Sequence, residues 1–597
     1  MFTKVLVANR GEIAVRVMRA LKELGVASVA VYSEVDREAP HVREAGESYL
    51  LGPGPAPESY LHVEKILAVA EQSGAEAIHP GYGFLAENAA FAKACEKAGV
   101  VFIGPPAKAI EAMGSKTRAR ELMKGAGVPI VPGTTEPVTS PEEARRVALE
   151  IGYPVAAKAA GGGGGKGFRV ARSEDELEKA LEGAAREGEK FFSDPTVYLE
   201  RYLEDPRHVE VQVLADGHGT VVHLGERDCS VQRRHQKLIE ETPAPGVDPE
   251  FRQRIGKIAT DAAEAIGYRS AGTIEGLLAV HEGAEPEYFF LEMNTRVQVE
   301  HTVTEMATGI DIVREQIRIA AGEPISFTQE GVEIRGHAIE CRINAEAAHK
   351  KFAPAPGRIT AYREPAGPGV RVDSGVEAGA EISPMYDPMV AKLIVWDVDR
   401  DAATARMLRA LAEYEVGGVT TLIPFHEALL STEQWRRGET CRDLVEDPKW
   451  LKSLAPEAPA AAAAPEEGEQ EEKVERDYTV EVDSRRFTVK VIGPPPAGGG
   501  AAAGSNSATR SAPRRARAGG AAADGAGGGA LVSPLQGTVL RVNVEQGQEV
   551  DAGAVVCVIE AMKMENEITA PAAGKVEQLS VSEGASIAAG DAIAVIK

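Results

Sequence analysis

The 597-residue sequence is poor in cysteine, in aromatic residues and in basic charge, and it has no long hydrophobic run. Its five cysteines are far apart and show no Cys-x-x-Cys spacing, which argues against disulfides and zinc sites. A net charge of −24 argues against binding to nucleic acid or to anionic membranes. The sequence has no run of about 18 apolar residues, so no transmembrane helix is expected. The N-terminus lacks the features of a signal peptide, so we expect a cytoplasmic protein.

Residues 1 to about 447 alternate between strand-like and helix-like patterns. Lys4–Ala8 is a short apolar run, and after Gly11 apolar residues recur at helical spacing. Val26–Tyr32 is the next strand-like segment. This alternation predicts a parallel, doubly wound sheet. The chain is also long enough for several domains.

After Trp450 the composition changes. Residues 453–473 are rich in Ala, Pro and Glu, and residues 494–530 are rich in Gly, Ala, Ser and Arg, so both are predicted to be flexible linkers. Between them, period-two alternation predicts a β-hairpin over 478–491, which is marginally stable alone and whose docking partner the sequence does not identify. A linker of about 78 residues spans roughly 50 Å, which suits either a mobile carrier or a passive tether.

The last ~65 residues contain an internal duplication. Its glycines recur at an offset of 37 residues, with Gly537, Gly547 and Gly553 matched by Gly574, Gly584 and Gly590. Two such units predict a two-fold related, flattened all-β barrel with Lys563 at the hairpin tip between the halves. The sequence Met562-Lys563-Met564 resembles the biotin attachment signature of biotin carrier domains. Lipoyl domains share the duplication but usually carry Asp-Lys-Ala at this point.

A glycine run after an apolar strand indicates a phosphate-binding loop. Tyr153–Ala160 is apolar apart from Lys158 and leads into Gly161–Gly165. Such a loop folds closely over a polyphosphate and presents backbone N–H groups to it, although glycine runs also form plain loops. The segment is not a Walker P-loop, because Ala160 and Gly167 stand where that motif needs Gly and then Ser or Thr.

Two carboxylates and an amide further along the chain form a set of hard oxygen donors. Glu292 and Asn294 are two residues apart, so on a strand they face the same side, and Glu275 lies in a neighbouring strand-like segment. This set predicts a site for Mg²⁺ (or Mn²⁺) bridging ATP phosphates. Ion pairs on a sheet edge are the alternative interpretation.

Several long motifs in order make residues 1–447 resemble a biotin carboxylase of the ATP-grasp fold. The motifs are Lys4–Arg16, His79–Asn88, the glycine loop, Glu226–Lys237, Glu292–His301 and Glu340–Glu346. The resemblance implies an α/β fold made of a doubly wound N-terminal domain, an ATP-grasp domain with a lid, and a C-terminal α+β domain. We place the domains at 1–114, 115–320 with the lid at 131–203, 321–447, a linker at 448–530, and a biotinyl barrel at 531–597.

The resemblance also implies site residues. ATP would contact Lys116, Lys158, Gly164, Gly165, Glu200, Leu203, His208, Gln232, His235, Glu275 and Glu292, and the metal ligands would be Glu275, Glu292 and Asn294. Bicarbonate would be held by Lys237, Arg296, Gln298 and the backbone of Val299, with Glu300 as general base. Arg342 would bind biotin and stabilise the negative charge on its ureido oxygen. The catalytic set is therefore Lys237, Arg296, Glu300 and Arg342.

Three of these residues carry a further structural expectation. Arg296, Gln298 and Glu300 alternate, which predicts one strand with all three side chains facing one cleft. Neighbouring cations would keep the Glu300 carboxylate ionised and able to accept a proton. Two residues depart from the family pattern: Gly276, which predicts looser packing beside Glu275, and Phe168, where Met is common.

The expected activity is ATP- and bicarbonate-dependent carboxylation of biotin carried on Lys563. No carboxyltransferase domain fits between residues 450 and 530, so the implied partners are a separate carboxyltransferase (β) subunit in an oligomeric complex, together with a biotin protein ligase. The layout resembles the α subunit of an acetyl- or propionyl-CoA carboxylase, with a two-subunit pyruvate carboxylase as the alternative. Two other classes of protein are compatible with parts of the sequence. One is an ATP-grasp ligase that joins a carboxylate to an amine, and the other is a non-catalytic carrier.

Overall fold

The computed structural model describes residues 1–134, 136–159, 167–192, 194–234, 236–280, 285–455, 474–482, 485–493, 530–533, 537–561, 564–587 and 591–596. Of the predicted site residues, Gly164, Gly165, His235 and Lys563 lie outside this set, as does the side chain of Lys116. Among the helices described here, none combines the length and the apolar character needed to cross a membrane.

The N-terminal part is a parallel α/β sheet. Its elements are β1 (Lys4–Val7), α1 (Gly11–Glu23), β2 (Ala27–Ser33), α2 (Pro40–Glu44), β3 (Glu47–Gly52), α3 (Val63–Ser73), β4 (Ala77–His79), α4 (Ala89–Lys97), β5 (Val101–Phe102) and α5 (Ala107–Gly114). The strand order is β3-β2-β1-β4-β5. Val5 and Val7 of β1 enter one hydrophobic core and Leu6 enters another, because alternate side chains leave opposite faces. The predicted doubly wound sheet is confirmed.

A small layered unit follows. It contains α7 (Pro141–Ile151), β6 (Val155–Ala159), β7 (Phe168–Ala171), α8 (Glu174–Phe192) and β8 (Val197–Arg201). The preceding helix, α6 (Lys116–Gly125), packs instead through Ala119 and Met123 into the core of the sheet described next. The three strands pair antiparallel in the order β7-β6-β8. Alanines of α7 and α8 pack on Val155, Ala157 and Leu199, so the helices lie close against the sheet.

The next part of the chain forms one long antiparallel sheet. Its elements are β9 (Arg207–Ala215), β10 (Val221–Arg233), β11 (Gln236–Thr242), α9 (Pro249–Ala265), β12 (Ser270–Ala279), β13 (Glu287–Asn294), α10 (His301–Thr308), α11 (Ile312–Ala320) and β14 (His337–Asn344). Further on are β15 (Glu346–Ala347), β16 (Ala353–Pro354), β17 (Gly357–Arg358), β18 (Ala361–Arg363), β19 (Val370–Ser374), β20 (Glu381–Ile382) and β21 (Met389–Asp397). The eight strands are ordered β13-β12-β9-β10-β11-β14-β21-β19.

This sheet joins the predicted ATP-grasp and C-terminal parts without a break, because β11 pairs with β14. Its far end is covered by α12 (Arg400–Glu413), which is followed by β22 (Glu415–Gly417), α13 (Ile423–Leu430), α14 (Glu433–Arg436), α15 (Arg442–Glu446) and α16 (Pro448–Ser453). Apolar residues of α12, α13 and α14 form one core with β14 and β21. The sheet thus provides a continuous frame for the site.

Past the carboxyl end of α16, two strands form the predicted hairpin and eight form a β-unit. The hairpin strands are β23 (Val474–Val482) and β24 (Arg485–Gly493), longer than the predicted 478–491. The unit contains β25 (Ala530–Val532), β26 (Gly537–Val542), β27 (Glu549–Val550), β28 (Val555–Ala561), β29 (Met564–Thr569), β30 (Gly574–Leu579), β31 (Ser586–Ile587) and β32 (Ala592–Ile596).

The 37-residue repeat is visible in the strands of this unit. β26 begins at Gly537 and β30 at Gly574, and β28 and β32 have the same offset. One sheet has the order β25-β32-β30-β27 and the other β29-β28-β26-β31, so each sheet takes two strands from each half. This exchange explains why neither half forms a core by itself. The predicted all-β biotinyl barrel is confirmed.

Candidate active site

A cavity of about 660 Å³ opens over the middle of the long sheet. It is lined by Glu87, His208, Gln232, Gln236, Lys237, Glu275, Leu291, Glu292, Asn294, Arg296, Gln298, Val299, Glu300 and Arg342. The structure therefore brings together all the predicted bicarbonate and metal residues, with the predicted catalytic residues among them. The strands β9 to β14 supply most of these side chains.

Lys237 lies at the centre of the cavity floor. Its Nζ donates to Glu300 Oε1 at 2.5 Å, to Glu210 Oε2 at 2.5 Å and to Glu275 Oε1 at 2.8 Å. Burial alone would favour the neutral amine, but the three carboxylates outweigh it and raise the pKa of Lys237 well above its ordinary value. A permanent cation is thereby fixed where an anionic substrate would enter.

Arg227 supports this floor from beneath and is fully buried. Its guanidinium donates to Glu210 Oε1 at 2.6 Å and to Gln298 Oε1 at 2.7 Å. It also donates to Gln212, Thr273 and Thr304. The contact to Gln298 fixes the side-chain amide, whose Nε2 then donates to Glu275 Oε1 at 2.7 Å. A planar guanidinium with several donors suits this role better than a lysine would.

Glu300 sits between two cations at the edge of the cavity. Lys237 lies on one side, and Arg342 Nη2 donates to Glu300 Oε2 at 3.1 Å on the other. Burial works against ionisation of Glu300, but the charges of Lys237 and Arg342 outweigh it and lower its pKa. The carboxylate is therefore ionised at neutral pH and can accept a proton.

Arg342 is held by a second, deeper carboxyl group. Its Nε donates to Glu240 Oε1 at 2.6 Å. Glu240 is directly opposite Glu340 on the neighbouring strand, and Glu240 Oε2 and Glu340 Oε1 are buried without a hydrogen-bond partner. Burial raises the pKa of Glu240 to about 8 despite the Arg342 charge, and burial likewise raises the pKa of Glu340 to about 7. At least one of these carboxyls thus carries a proton at neutral pH.

Replacing Glu240 by glutamine tests that protonation. A folded-state pKa raised from 4.5 to about 8 means that Glu240 stabilises the fold below pH 4.5 and loses this contribution as pH rises toward 8. We expect the free energy of unfolding of Glu240→Gln, measured by denaturant unfolding, to fall less between pH 5 and pH 8.5 than that of the unmodified protein, by about 4 kcal/mol. The exposed Glu381→Gln is the control and should keep the original pH slope. An unchanged slope in Glu240→Gln would show that Glu240 is ionised throughout.

His208 lies next to Glu275 on the ATP side. Its Nε2 is 3.2 Å from Glu275 Oε2 and 3.8 Å from Glu210 Oε2, an ion-pair contact without hydrogen-bond geometry. Burial favours the neutral ring, but the two carboxylates outweigh it and raise the pKa of His208 to about 9. The ring is therefore charged at neutral pH, which suits contact with phosphate oxygens.

The expected strand over Arg296, Gln298 and Glu300 is wrong. β13 ends at Asn294, and the chain turns over residues 295–300 before α10 begins at His301. The side chains still reach one cavity because the turn wraps around its edge. A buried residue of β21 holds the backbone of this turn: Lys392 Nζ donates to the carbonyl oxygen of Val299 at 2.9 Å.

Arg296 is positioned by a residue from the N-terminal part. Its Nε donates to Glu87 Oε2 at 2.9 Å, and its Nη2 donates to Asn294 Oδ1 at 2.9 Å. Arg296, Val299 and Arg342 also line an adjoining cavity of about 450 Å³ that includes Tyr82 and Asp387. The two cavities therefore share a wall made of the residues assigned to bicarbonate and biotin.

The predicted ATP residues of the lid lie apart from this cavity. Lys158 on β6 makes an ion pair with Glu200 on β8, and Arg120 Nη1 lies 3.1 Å from Glu200 Oε1. Leu203 packs in a small core with Val131, Ala279 and Phe289. Phe168 is one of the two departures from the family pattern. Its ring centroid lies 5.7 Å from Lys158 Nζ.

The expectation of loose packing at Gly276 is also wrong. A Cβ atom at this position would overlap the ring of Tyr288 on the next strand. The Tyr288 hydroxyl donates to the carbonyl oxygen of Ile274 at 3.2 Å, so the ring is fixed there. Tyr288 fills the space that an aromatic side chain at 276 would take, and the backbone next to Glu275 is firmly packed.

The residues fit a divalent cation. Glu275 and Glu292 are directly opposite each other on β12 and β13, and both line the cavity with Asn294. Burial disfavours the charged form of Glu275, but Lys237 and His208 outweigh it and lower its pKa, so the carboxylate is ionised, as a metal ligand must be. Two carboxylates and an amide are the oxygen ligands that Mg²⁺ takes in phosphate-binding sites.

Sequence reasoning missed four residues that organise the site: Glu210, Arg227, Glu87 and Lys392. Arg227 and Glu87 lie inside motifs that the sequence analysis quoted, but no role followed from their position. Glu210 had a visible signal, because it is a charged residue between Val209 and Val211 in the strand-like segment that forms β9. Lys392 had a similar one in β21, where it is fully buried.

Comparisons with known families agree with this layout. Residues 1–110 match the biotin carboxylase N-terminal domain, residues 115–328 the ATP-binding domain of the carbamoyl-phosphate synthase L chain, and residues 340–447 the biotin carboxylase C-terminal domain. Residues 529–596 match a domain described as biotin-requiring enzyme.

Individual relatives are similar over the carboxylase region. One of the pyruvate carboxylase subunits of Methanothermobacter thermautotrophicus is 57% identical over 447 residues, covering 75% of this chain and 90% of the relative. Biotin carboxylase 1 of Bacillus subtilis is 54% identical (74% and 97% covered), and the 2-oxoglutarate carboxylase small subunit of Hydrogenobacter thermophilus is 52% identical (75% and 94%).

Solved structures give the same result. The biotin carboxylase domain of a thermophilic 2-oxoglutarate carboxylase bound to bicarbonate superposes with a TM-score of 0.71 at 49% identity, covering 76% of this chain and 99% of that one. The biotin carboxylase subunit of a pyruvate carboxylase gives a TM-score of 0.70 at 52% identity, with the same coverage. The chain therefore belongs to the biotin carboxylase family and carries a biotinyl domain on the same polypeptide.

Proposed function

We propose that this protein carboxylates the biotin attached to its own Lys563, using ATP and bicarbonate, as the first half-reaction of an acyl-CoA carboxylase. The observation that carries the first half is the placement of Glu300 in the larger cavity between Lys237 and Arg342, the second of which also lines the adjoining cavity. An ionised base there faces the space for a small anion, and Arg342 connects it to the space for a second substrate.

The bicarbonate steps follow from this geometry. Lys237, Arg296 and the Gln298 amide supply positive charge and donors for a planar anion. Glu300 removes its proton, and the oxygen then attacks the γ-phosphorus of ATP while ADP leaves. The resulting carboxyphosphate releases CO₂ and phosphate. The protein contributes positioning and charge neutralisation rather than covalent chemistry.

The remaining residues serve the ATP and biotin sides. Mg²⁺ would be held by Glu275, Glu292 and Asn294 and would neutralise charge on the phosphates. Biotin would supply the ureido nitrogen that takes up CO₂, and the released phosphate would accept the proton of that nitrogen. Arg342 stabilises negative charge on the ureido oxygen, and its bond to Glu240 fixes the guanidinium plane. Lys158 and Glu200 would meet ATP from the lid once it closes over the cavity, which also excludes water.

The layout of the chain supports an acyl-CoA as the final acceptor. Carboxylase and biotinyl domain are joined here, whereas the relatives named above match nearly along their whole length but cover only about three quarters of this chain. A separate carboxyltransferase subunit would then choose acetyl-CoA or propionyl-CoA. A biotin protein ligase would attach biotin to Lys563.

A 2-oxo acid is the second candidate acceptor. Two of the relatives are subunits of pyruvate carboxylase and 2-oxoglutarate carboxylase, and their carboxylase regions are 57% and 52% identical to this one. Because the acceptor is bound by the partner subunit, identity in the carboxylase does not separate the two candidates.

Affinity capture of the native complex tests both halves of this proposal. We expect the protein from its own cells to bind a reversible avidin resin and the eluted complex to fix labelled bicarbonate onto acetyl-CoA or propionyl-CoA in an ATP-dependent way. Pyruvate and 2-oxoglutarate are offered separately, and fixation onto one of them alone would replace the acyl-CoA assignment. A Lys563→Arg chain is the control and should not be captured. Failure to capture the unmodified chain would contradict biotin attachment.

A further inference from the structure

A cluster of cations stands at the rim of the active-site cavity. Gln232 and Gln236 line the cavity, and the β10–β11 hairpin continues beyond them through Arg233 to Arg234 at its exposed tip. The guanidinium of Arg233 lies over the ring of Phe352, 4.8 Å from its centroid. This contact joins the hairpin tip to the 3₁₀ turn Ala348–Lys350 and the residues just after it.

The same aromatic stack continues to the last helix of the carboxylase. Phe352 packs on Phe425 with centroids 5.2 Å apart, and Phe425 packs on Trp450 of α16 at 5.8 Å. Three elements distant in sequence thus pack on one buried aromatic core. Their cationic residues, here called the basic rim, are Arg233, Arg234, Lys350, Lys351, Lys449 and Lys452, all exposed except the half-buried Arg233.

The positive charge of the rim is only partly compensated. Glu346 and Glu446 act on Arg233, yet burial and then the like charge of Arg234 outweigh them and lower the pKa of Arg233. Such a concentration of cations is unexpected on a chain with a net charge of −24. The like charges repel each other, so the surface gains by contact with an anionic partner.

The backbone of the rim is also unusual. Arg234, Lys351 and Phe352 have φ angles of +47°, +57° and +59°. Residues other than glycine rarely adopt such angles, because the Cβ atom crowds the backbone there. Strain of this kind persists where a particular presentation of side chains is needed.

The biotinyl domain of this chain has the complementary charge. Residues 531–597 contain nine carboxylates and four cationic side chains, Lys563 among them. Glu560 on β28 and Glu567 on β29 are exposed near the hairpin tip that carries Lys563. Both lie on the two strands that flank residues 562–563, so the described end of this hairpin carries negative charge.

The tether also begins at the rim. The carboxylase part ends just after α16, whose Lys449 and Lys452 belong to the rim, and residues 456–529 lead to the biotinyl domain. Because both parts belong to one polypeptide, the biotinyl domain meets the rim at a high effective concentration.

We propose that the basic rim is the docking surface for the acidic hairpin tip of the biotinyl domain of this chain while its biotin enters the cavity. This inference rests on the proposed function. It adds an electrostatic site outside the cavity that recognises the carrier rather than biotin. The acidic linker segment Glu466–Glu472 is the competing occupant, and the test below distinguishes the two.

The test uses the full biotinylated chain with Arg234→Glu, Lys350→Glu and Lys351→Glu combined. We expect labelling of the chain's own biotin from bicarbonate to slow at least tenfold at low salt, while ATP cleavage supported by saturating free biotin stays within twofold. The exposed pair Lys22→Glu and Lys97→Glu is the matched control and should change neither rate. Loss of both activities in the unmodified chain would instead count against the proposed function.

Charge exchange completes the test. Adding Glu560→Lys and Glu567→Lys to the triple variant should restore at least half of the lost rate, once full biotinylation has been verified by mass. Normal self-labelling in the triple variant would overturn the proposal. So would failure of the exchange to restore the rate, or restoration by neutralising the glutamates of Glu466–Glu472 instead, which would assign the rim to the linker.

Discussion

Replacing Glu300 by glutamine is expected to lower bicarbonate- and biotin-dependent ATP cleavage by about 10²- to 10⁴-fold, the usual contribution of a general base. Glutamine has nearly the same shape, but Lys237 and Arg342 donate to different oxygens of Glu300, so the single amide oxygen accepts from only one of them. It cannot take a proton from bicarbonate. The measurement is steady-state ADP release with and without bicarbonate, at saturating free biotin.

The matched control for Glu300→Gln is Glu226→Gln. Glu226 is equally buried and paired, since Arg252 Nε donates to its Oε2 at 2.7 Å, but it does not line the cavity. We expect Glu226→Gln to retain the rate within a few-fold while losing some thermal stability. A Glu300→Gln protein that keeps more than a tenth of the bicarbonate-dependent rate would remove Glu300 from the role of base.

The second large effect is expected from Arg227→Met. This substitution removes a fully buried guanidinium, so Gln298 loses the donor to its Oε1 and Glu210 keeps only Lys237 and His208 as cationic partners. Breaking a buried ion pair on one side costs about 3–5 kcal/mol, because the remaining carboxylate loses part of the charge that compensated it. At roughly 2–4 °C per kcal/mol, the thermal midpoint of the carboxylase part should fall by about 10 °C.

Two further variants separate this effect from general damage. The exposed Arg335, which pairs with Glu333 at the surface, provides the control: Arg335→Met should shift the midpoint by about 1 °C or less. The double variant Arg227→Met/Glu210→Gln should recover part of the loss, because both charges of the pair are then removed. If the double variant is no more stable than Arg227→Met, the penalty does not come from the Glu210 carboxylate.

Local features of the fold could be predicted because each depends on a pattern of neighbouring residues. The apolar run at Lys4–Ala8 and the helical spacing after Gly11 became β1 and α1 within one or two residues. The 37-residue repeat became two interleaved sets of strands with the same offset. In both cases side-chain periodicity follows directly from the geometry of a strand or a helix.

The predictions from sequence were wrong where contacts between residues far apart in the chain determine the local structure. Alternation at Arg296, Gln298 and Glu300 looked like a strand, but the segment is a turn whose backbone is held by Lys392, 93 residues further on. Gly276 looked like a packing gap until Tyr288 was found to fill it. Neither partner is visible in the local sequence, because tertiary packing brings it there.

For the active site, the chemistry of the donors can be read from the residues alone: the carboxylates Glu275 and Glu292, the cations Lys237 and Arg342, and the attachment signature at Lys563. How these charges are set against each other is visible only in the folded chain, where Lys237 is shared by three carboxylates and Arg342 is held by Glu240. The reason is physical. A residue type fixes what a group can donate or accept, whereas its ionisation and orientation depend on burial and on charges that the fold brings within a few ångströms.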